Sequence, residues 1–226
     1  MSENNNSLKI PRVKICCIAS VEEAKLAIKY GASAIGLISE MPSGPGSISE
    51  GLIEEIAATI PPGVSSFLLT SKQDVDSIID QQKRTKVNTI QLVDKLNQGS
   101  HSDLKKALPG ISLVQVIHVL GEESIQEAIR ISGSVNGILL DTGNPSLKIK
   151  ELGGTGRVHD WEISRRIVQM IRTPVFLAGG LKAENVVDAV NTVHPFGLDL
   201  CNGVRTKGKL DEEKLSSFFS NLKKIN

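Results

Sequence analysis

Short apolar runs alternate with amphipathic stretches along the whole of this 226-residue chain. Arg12 to Ile18 reads as a strand, and Val21 to Tyr30 as a helix closed by Gly31. The same alternation gives strands over Ser33 to Ile38, Val64 to Leu69, Val87 to Leu92, Ser112 to His118, Val135 to Leu140, Pro174 to Ala178 and Phe196 to Leu200. Between and after them, helices are expected over Ser49 to Ile60, Asp74 to Lys83, Ser102 to Leu108, Glu122 to Ile131, Trp161 to Ile171, Ala183 to Val193 and Asp211 to Leu222.

Strands that alternate with helices demand a parallel sheet. The strand runs are continuously apolar, as expected where helices cover them. About eight units of about 25 residues each fit a single (β/α)₈ TIM barrel. The competing arrangement is an open doubly wound sheet. The count of eight, and the lack of an early G-x-G-x-x-G after the first strand, favour the barrel. No linker or composition break divides the chain. The polar, asparagine-rich residues 1–9 are expected to form a loose, flexible tail, and residues 10–226 the barrel domain.

A barrel concentrates chemistry at the C-terminal ends of its strands, with phosphate commonly held after strands 7 and 8. Three glycine turns fall there: Gly153-Gly154-Thr155-Gly156, Gly179-Gly180 and Asn202-Gly203. Converging backbone N–H groups with no side chain in the way can grip an anion. We therefore assign phosphate binding to Gly154, Thr155, Gly156, Gly179, Gly180, Asn202 and Gly203.

The net charge of +1, with lysines and arginines dispersed, argues against a nucleic-acid surface. No apolar stretch approaches the ~20 residues that span a bilayer, and no secretory signal is visible. The expected setting is the cytoplasm. Cys16 and Cys17 are adjacent, so a bond between them would be strained; with Cys201 they are read as thiols in a reducing compartment.

Four residues are candidates for chemistry. Cys16 ends the first strand. Alternation along a strand would turn one of Cys16 and Cys17 into the mouth and the other toward the helices. Lys14 shares a face with Cys16, and a nearby cation can lower a thiol pKa and free a thiolate base. Asp141 follows the apolar strand Ile138-Leu-Leu140. A partly desolvated carboxyl there can hold a proton and act as a general acid, although it could also merely cap a turn. Asp199, set among Leu198 and Leu200, needs a buried partner, either Lys14 or a substrate group. His118 and His159 read as structural or exposed. Asp160 reads as the N-cap of the helix at Trp161.

These residues resemble the phosphoribosylanthranilate isomerase family of tryptophan biosynthesis. Lys14-Ile-Cys16 resembles that family's K-I-C-G, Ile90-Gln-Leu92 its V-Q-L-H-G, and Leu139-Leu-Asp141 its L-L-D. Gly153-Gly-Thr-Gly156 with Asp160-Trp161 is similar to G-G-T-G…F-D-W. Phe176-Leu-Ala-Gly-Gly-Leu181 with Glu184-Asn185-Val186 is similar to L-A-G-G-L…E-N-V, and Pro195-Phe-Gly-Leu-Asp199 with Gly203-Val204 to P-x-G-V-D…S-G-V-E.

The resemblance implies an Amadori rearrangement of N-(5-phosphoribosyl)anthranilate without metal or cofactor. Asp141 would be the general acid and Cys16 the general base, acting on a small-molecule phosphosugar substrate. Lys14, Asp199 and Arg205 would contact substrate. Four departures stand out, one being Val93-Asp94 where the family has H-G after strand 4. The family's arginine after strand 2, which binds the anthranilate carboxylate, is absent from Met41-Pro-Ser-Gly-Pro-Gly-Ser47. The glycine after the catalytic cysteine is Cys17. The turn S-S-G-V-E is Cys201-Asn-Gly-Val-Arg205, with reversed charge. Arg205 or Arg157 would then hold the carboxylate. The alternatives are another phosphorylated aminosugar as substrate, or a non-catalytic phosphosugar-binding barrel. A metal-dependent epimerase lacks its histidine set, and a Schiff-base lyase lacks a late strand-end lysine.

Overall fold

The computed structural model describes residues 10–42, 44–143, 152 and 158–225. Residues 1–9, expected as a loose tail, lie outside it. Eight parallel strands close into a barrel: β1 (Arg12–Ile15), β2 (Ala34–Ile38), β3 (Ser65–Thr70), β4 (Thr89–Leu92), β5 (Ser112–His118), β6 (Gly137–Asp141), β7 (Val175–Leu177) and β8 (Gly197–Leu200). Strands pair in chain order, and β8 returns to β1 with Lys14 opposite Asp199. The helices are α1 (Val21–Tyr30), α2 (Glu50–Thr59), α3 (Val75–Thr85), α4 (His101–Ala107), α5 (Glu123–Ser132), α6 (Trp161–Met170), α7 (Val186–Val193) and α8 (Glu212–Leu222).

Local chemistry sets the helix starts. Ser20, Ser49, Asp74, Ser100, Asp160 and Asp211 each accept a backbone N–H of the first turn, satisfying a donor the helix leaves unpaired. Strand residues alternate between two cores. Ile15, Ile35, Leu68, Ile90 and Leu177 pack outward under the helices. Ala34, Phe67, Val114, Leu139 and Phe176 fill the barrel interior. Phe67, Phe176 and Phe196 stack edge to face near its floor.

Three local expectations are corrected. β1 ends at Ile15 rather than Ile18, because Cys17 takes a left-handed φ of 62° that no strand tolerates. α7 begins at Val186 rather than Ala183. Ahead of it Asn185 bridges a turn, accepting from Lys182 N at 2.9 Å and donating to Gly180 O at 3.0 Å. A hairpin absent from the sequence reading joins β9 (Arg205–Thr206) to β10 (Lys209–Leu210). Lys207 and Gly208 take φ of 48° and 79° at its tip, the left-handed pair of a two-residue hairpin turn.

Candidate active site

A cavity of about 250 Å³ opens at the C-terminal ends of the strands. Cys16 and Cys17 after β1 and Asp141 at the end of β6 share its wall. Ile38, Met41, Gly44, Pro45 and Leu69 form an apolar side after β2 and β3. Gly179, Gly180, Leu181 and Lys182 after β7, with Cys201, Asn202 and Gly203 after β8, form the opposite side. Gly154, Thr155, Gly156 and Arg157 lie outside the described residues.

Lys14 is wholly buried and sits 2.9 Å from Asp199 Oδ2 across the β1–β8 seam. Burial alone would lower its pKa, but the charges of Asp199 and Cys16 outweigh it and the pKa rises. Lys14 is therefore a fixed cation beneath the cavity, and it does not itself line the wall. Asp199 does line it, and its other oxygen, Oδ1, is buried with no partner among the described residues. An unpaired buried carboxylate oxygen is costly unless a ligand donor meets it.

Burial pushes the Cys16 thiol up to about 11, against the downward pull of Lys14. Lys14 pulls in the expected direction, but it does not free a thiolate, because burial and the charge of Asp199 outweigh it. Lys14 is already ion-paired to Asp199, so less of its field serves Cys16, and desolvation of the thiolate wins. Asp141 is half-buried, and its Oδ1 accepts Thr142 N at 2.7 Å. Its pKa is raised, first by desolvation and then by the charge of Asp199, which outweigh the Thr142 bond, His118 and Lys14. A carboxyl held above its ordinary pKa and a thiol held above its own thus face one space.

The wall permits little drift. A Cβ on Gly36 would lie 2.8 Å from Cys16 Sγ and 3.1 Å from Lys14 Cε, so only glycine lets β2 pack on the thiol. A Cβ on Gly203 would lie 1.9 Å from Leu181 O, so the turns after β7 and β8 touch backbone to backbone. Gly179 and Gly180 take φ of 83° and 62°, a backbone shape that favours glycine, and add no side chain to this side.

Two expectations on the rim are corrected. Arg205 does not line the cavity. It is 8% exposed and donates to Glu23 Oε2 at 3.0 Å, Gly208 O at 2.8 Å, Cys16 O at 3.4 Å and Cys17 O. Burial would raise the Glu23 pKa, but Arg205 and the N–H groups of Leu210 and Ala19 hold it down. Arg205 is thus spent on stitching the loop after β1 to the β9–β10 hairpin. Nor are the cysteines all thiols: Cys17 is bonded to Cys201, 184 residues away, and Cys16 alone is free. Cys16 and Cys17 both face the cavity, because the left-handed turn at Cys17 breaks the alternation expected of a strand.

His118 Nε2 meets Val93 O at 3.2 Å, and His159 Nε2 meets Ser164 Oγ at 2.6 Å. Both have structural partners, and burial takes His159 down to about 4. The sequence reading passed over Gln91. It is 3% exposed and lines the cavity, and its Oε1 has no partner among the described residues. The signal was present: an amide inside the otherwise apolar Ile90-Gln-Leu92.

The family model for N-(5'phosphoribosyl)anthranilate (PRA) isomerase matches residues 13–221. An N-(5'-phosphoribosyl)anthranilate isomerase of Methanosarcina mazei is 36% identical over 209 residues, 92% of each chain. The solved phosphoribosyl anthranilate isomerase of Thermotoga maritima superposes with a TM-score of 0.78 at 28% identity, covering 95% of this chain and 100% of that one. Another such isomerase, solved with reduced 1-(o-carboxyphenylamino)-1-deoxyribulose 5-phosphate, gives a TM-score of 0.75 at 26% identity over the same shares. The barrel, its strand-end cavity and these relatives agree, and the chain belongs to the N-(5'-phosphoribosyl)anthranilate isomerase family, enzymes of tryptophan biosynthesis.

Proposed function

We propose that the chain catalyses the Amadori rearrangement of N-(5-phosphoribosyl)anthranilate, with Asp141 as general acid and Cys16 as general base. One observation carries the reading: a carboxyl with a raised pKa and a free thiol share a cavity whose β7–β8 side carries the glycine turns at Gly179, Gly180 and Gly203. Asp141 gives its proton to the ribose ring oxygen. The C1′–O bond breaks, and the nitrogen lone pair forms C1′=N. Cys16 thiolate takes the proton from C2′, and those electrons form C1′=C2′ and neutralise the nitrogen. The C2′ hydroxyl then loses its proton while C1′ gains one, which leaves the ketone.

The phosphate rests against Gly179, Gly180, Asn202 and Gly203, with Lys182 beside them as the one basic residue of the wall among those described. Asp199 Oδ1 and Gln91 Oε1 accept sugar hydroxyls, which would satisfy two buried oxygens. Ile38, Met41, Pro45 and Leu69 receive the aromatic ring. A water-borne phosphosugar goes with a cytoplasmic setting.

The test follows substrate fluorescence during turnover. Cys16→Ser and Asp141→Asn should each lower kcat about 10²–10⁴-fold, the usual worth of a positioned acid or base. Either variant at the unmodified rate would sink the assignment. A second reading, a different phosphorylated aminosugar, is favoured by one observation. The ring side of the cavity is apolar, and Arg205 is engaged elsewhere. Equal kcat/KM for phosphoribosyl-aniline and phosphoribosylanthranilate would select it.

A further inference from the structure

We propose that the Cys17–Cys201 disulfide is a redox-dependent staple that sets the phosphate-facing rim of the mouth, so that its oxidation state controls affinity for the phosphorylated end of the substrate. The proposal rests on the isomerase reading above for what the rim binds.

The bond joins the two turns that matter most. Cys17 directly follows Cys16, and Cys201 directly precedes Asn202 and Gly203. Both cysteines face the cavity, so the link spans the gap between the loops after β1 and β8. A disulfide limits how far two such loops can part. Its effect reaches beyond them. Gly203 is seated against Leu181 O, so displacement of the β8 turn displaces the β7 turn with it. On the other flank a Cβ at Gly46 would meet Cys17 Cβ at 2.8 Å, so the loop after β2 closes directly on the staple.

Cys17 also holds a backbone shape that favours glycine, at φ 62°. A residue bearing a Cβ persists there only where its surroundings over-determine it. Two devices do so: the covalent link to Cys201, and Arg205, which donates to the carbonyls of Cys16 and Cys17. Reduction removes the first and keeps the second. The carbonyl of Cys16 stays pinned, so the catalytic thiol holds its place while the β8 turn is released. The expected signature is a change in KM rather than in kcat.

The exchange is balanced by a low-molecular-weight disulfide. The thiols of Cys17 and Cys201 pass two electrons and two protons to it, the protein S–S bond forms, and two small thiols leave. A dithiol reverses the step. Cys201 is half-buried at the mouth, which gives such a reagent its approach.

The test uses the full chain after treatment with oxidised or reduced glutathione. Thiol titration in denaturant should find one thiol in the oxidised protein and three after reduction. Calorimetry with inorganic phosphate should show Kd rising several-fold on reduction, with KM rising in parallel and kcat held. Cys201→Ser and the double variant Cys17→Gly/Cys201→Ser should match the reduced protein in both treatments. Three titratable thiols after oxidation would overturn the staple, as would phosphate affinity and KM indifferent to reduction while turnover persists. Redox-dependent phosphate affinity without turnover would instead overturn the isomerase reading and leave the staple standing.

Discussion

Replacing Gly36 by alanine tests the packing of the catalytic thiol. The added methyl would sit 2.8 Å from Cys16 Sγ, 3.0 Å from Cys16 Cα and 3.1 Å from Lys14 Cε. Carbon contacts are comfortable at about 3.5–4.0 Å, so the thiol is crowded by roughly 1 Å. Lys14 Cε cannot yield freely, because its ammonium is tied to Asp199 at 2.9 Å. Gly36 cannot retreat freely either, since its carbonyl accepts Ile18 N at 3.1 Å. The thiol, on one rotatable bond, is the group that moves. Overpacking of this kind costs about 1–3 kcal/mol. In a chain of this size that is roughly 2–4 °C in Tm for each kcal/mol. A displacement near 1 Å at a reacting atom can cost about 10²-fold in rate. We expect kcat to fall about 10–100-fold, while the Kd for inorganic phosphate, read at the glycine turns after β7 and β8, changes far less. Kinetics followed by substrate fluorescence, urea unfolding and phosphate calorimetry measure the three separately. Wild-type kcat together with wild-type stability would refute the argument that β2 holds Cys16 in place.

Further outcomes follow from the same geometry. The productive state pairs protonated Asp141 with Cys16 thiolate, so kcat/KM should be bell-shaped in pH. Its acid limb should lie above the usual Asp value of 3.8, and its alkaline limb near 11; a pH–rate profile whose alkaline limb falls near 8 would contradict this. Arg205→Ala should destabilise the fold by about 2–3 kcal/mol in urea unfolding, below the figure for a fully buried pair because Glu23 keeps 17% exposure. A loss confined to KM, with unchanged stability, would put Arg205 back among the substrate contacts. Gly203→Ala should raise KM and the phosphate Kd far more than it lowers kcat, because a Cβ 1.9 Å from Leu181 O must spread the β7 and β8 turns apart; unchanged phosphate affinity would place the anion elsewhere.

Much of the site was readable where chemistry and strand position coincide. Cys16, Asp141 and Asp199 stand at or near strand ends in a pattern that already implies a barrel, and all three line one cavity. Cys17 was not readable, because alternation assumes extended backbone and this residue turns left-handed directly after β1. Arg205 was misplaced for a different reason. Its nearness to a glycine turn suggested a ligand, but its partner Glu23 lies 182 positions away in sequence and reaches it only once β8 closes on β1. Gln91 was legible as an amide among apolar neighbours, yet only burial without a partner marks it as poised for a ligand.

The linear order of apolar and polar residues was enough to determine eight parallel strands, their helices and the face on which chemistry gathers, since each follows from local periodicity and from the need to cover both sides of a parallel sheet. Barrel closure decided the rest. It set Lys14 against Asp199, Glu23 against Arg205 and Cys17 against Cys201, and it settled the sense in which the Cys16 proton is held. Those are interactions between residues far apart in the chain, and their sign depends on which charge is nearest and how much water is excluded. Neither quantity exists until the first and last strands meet.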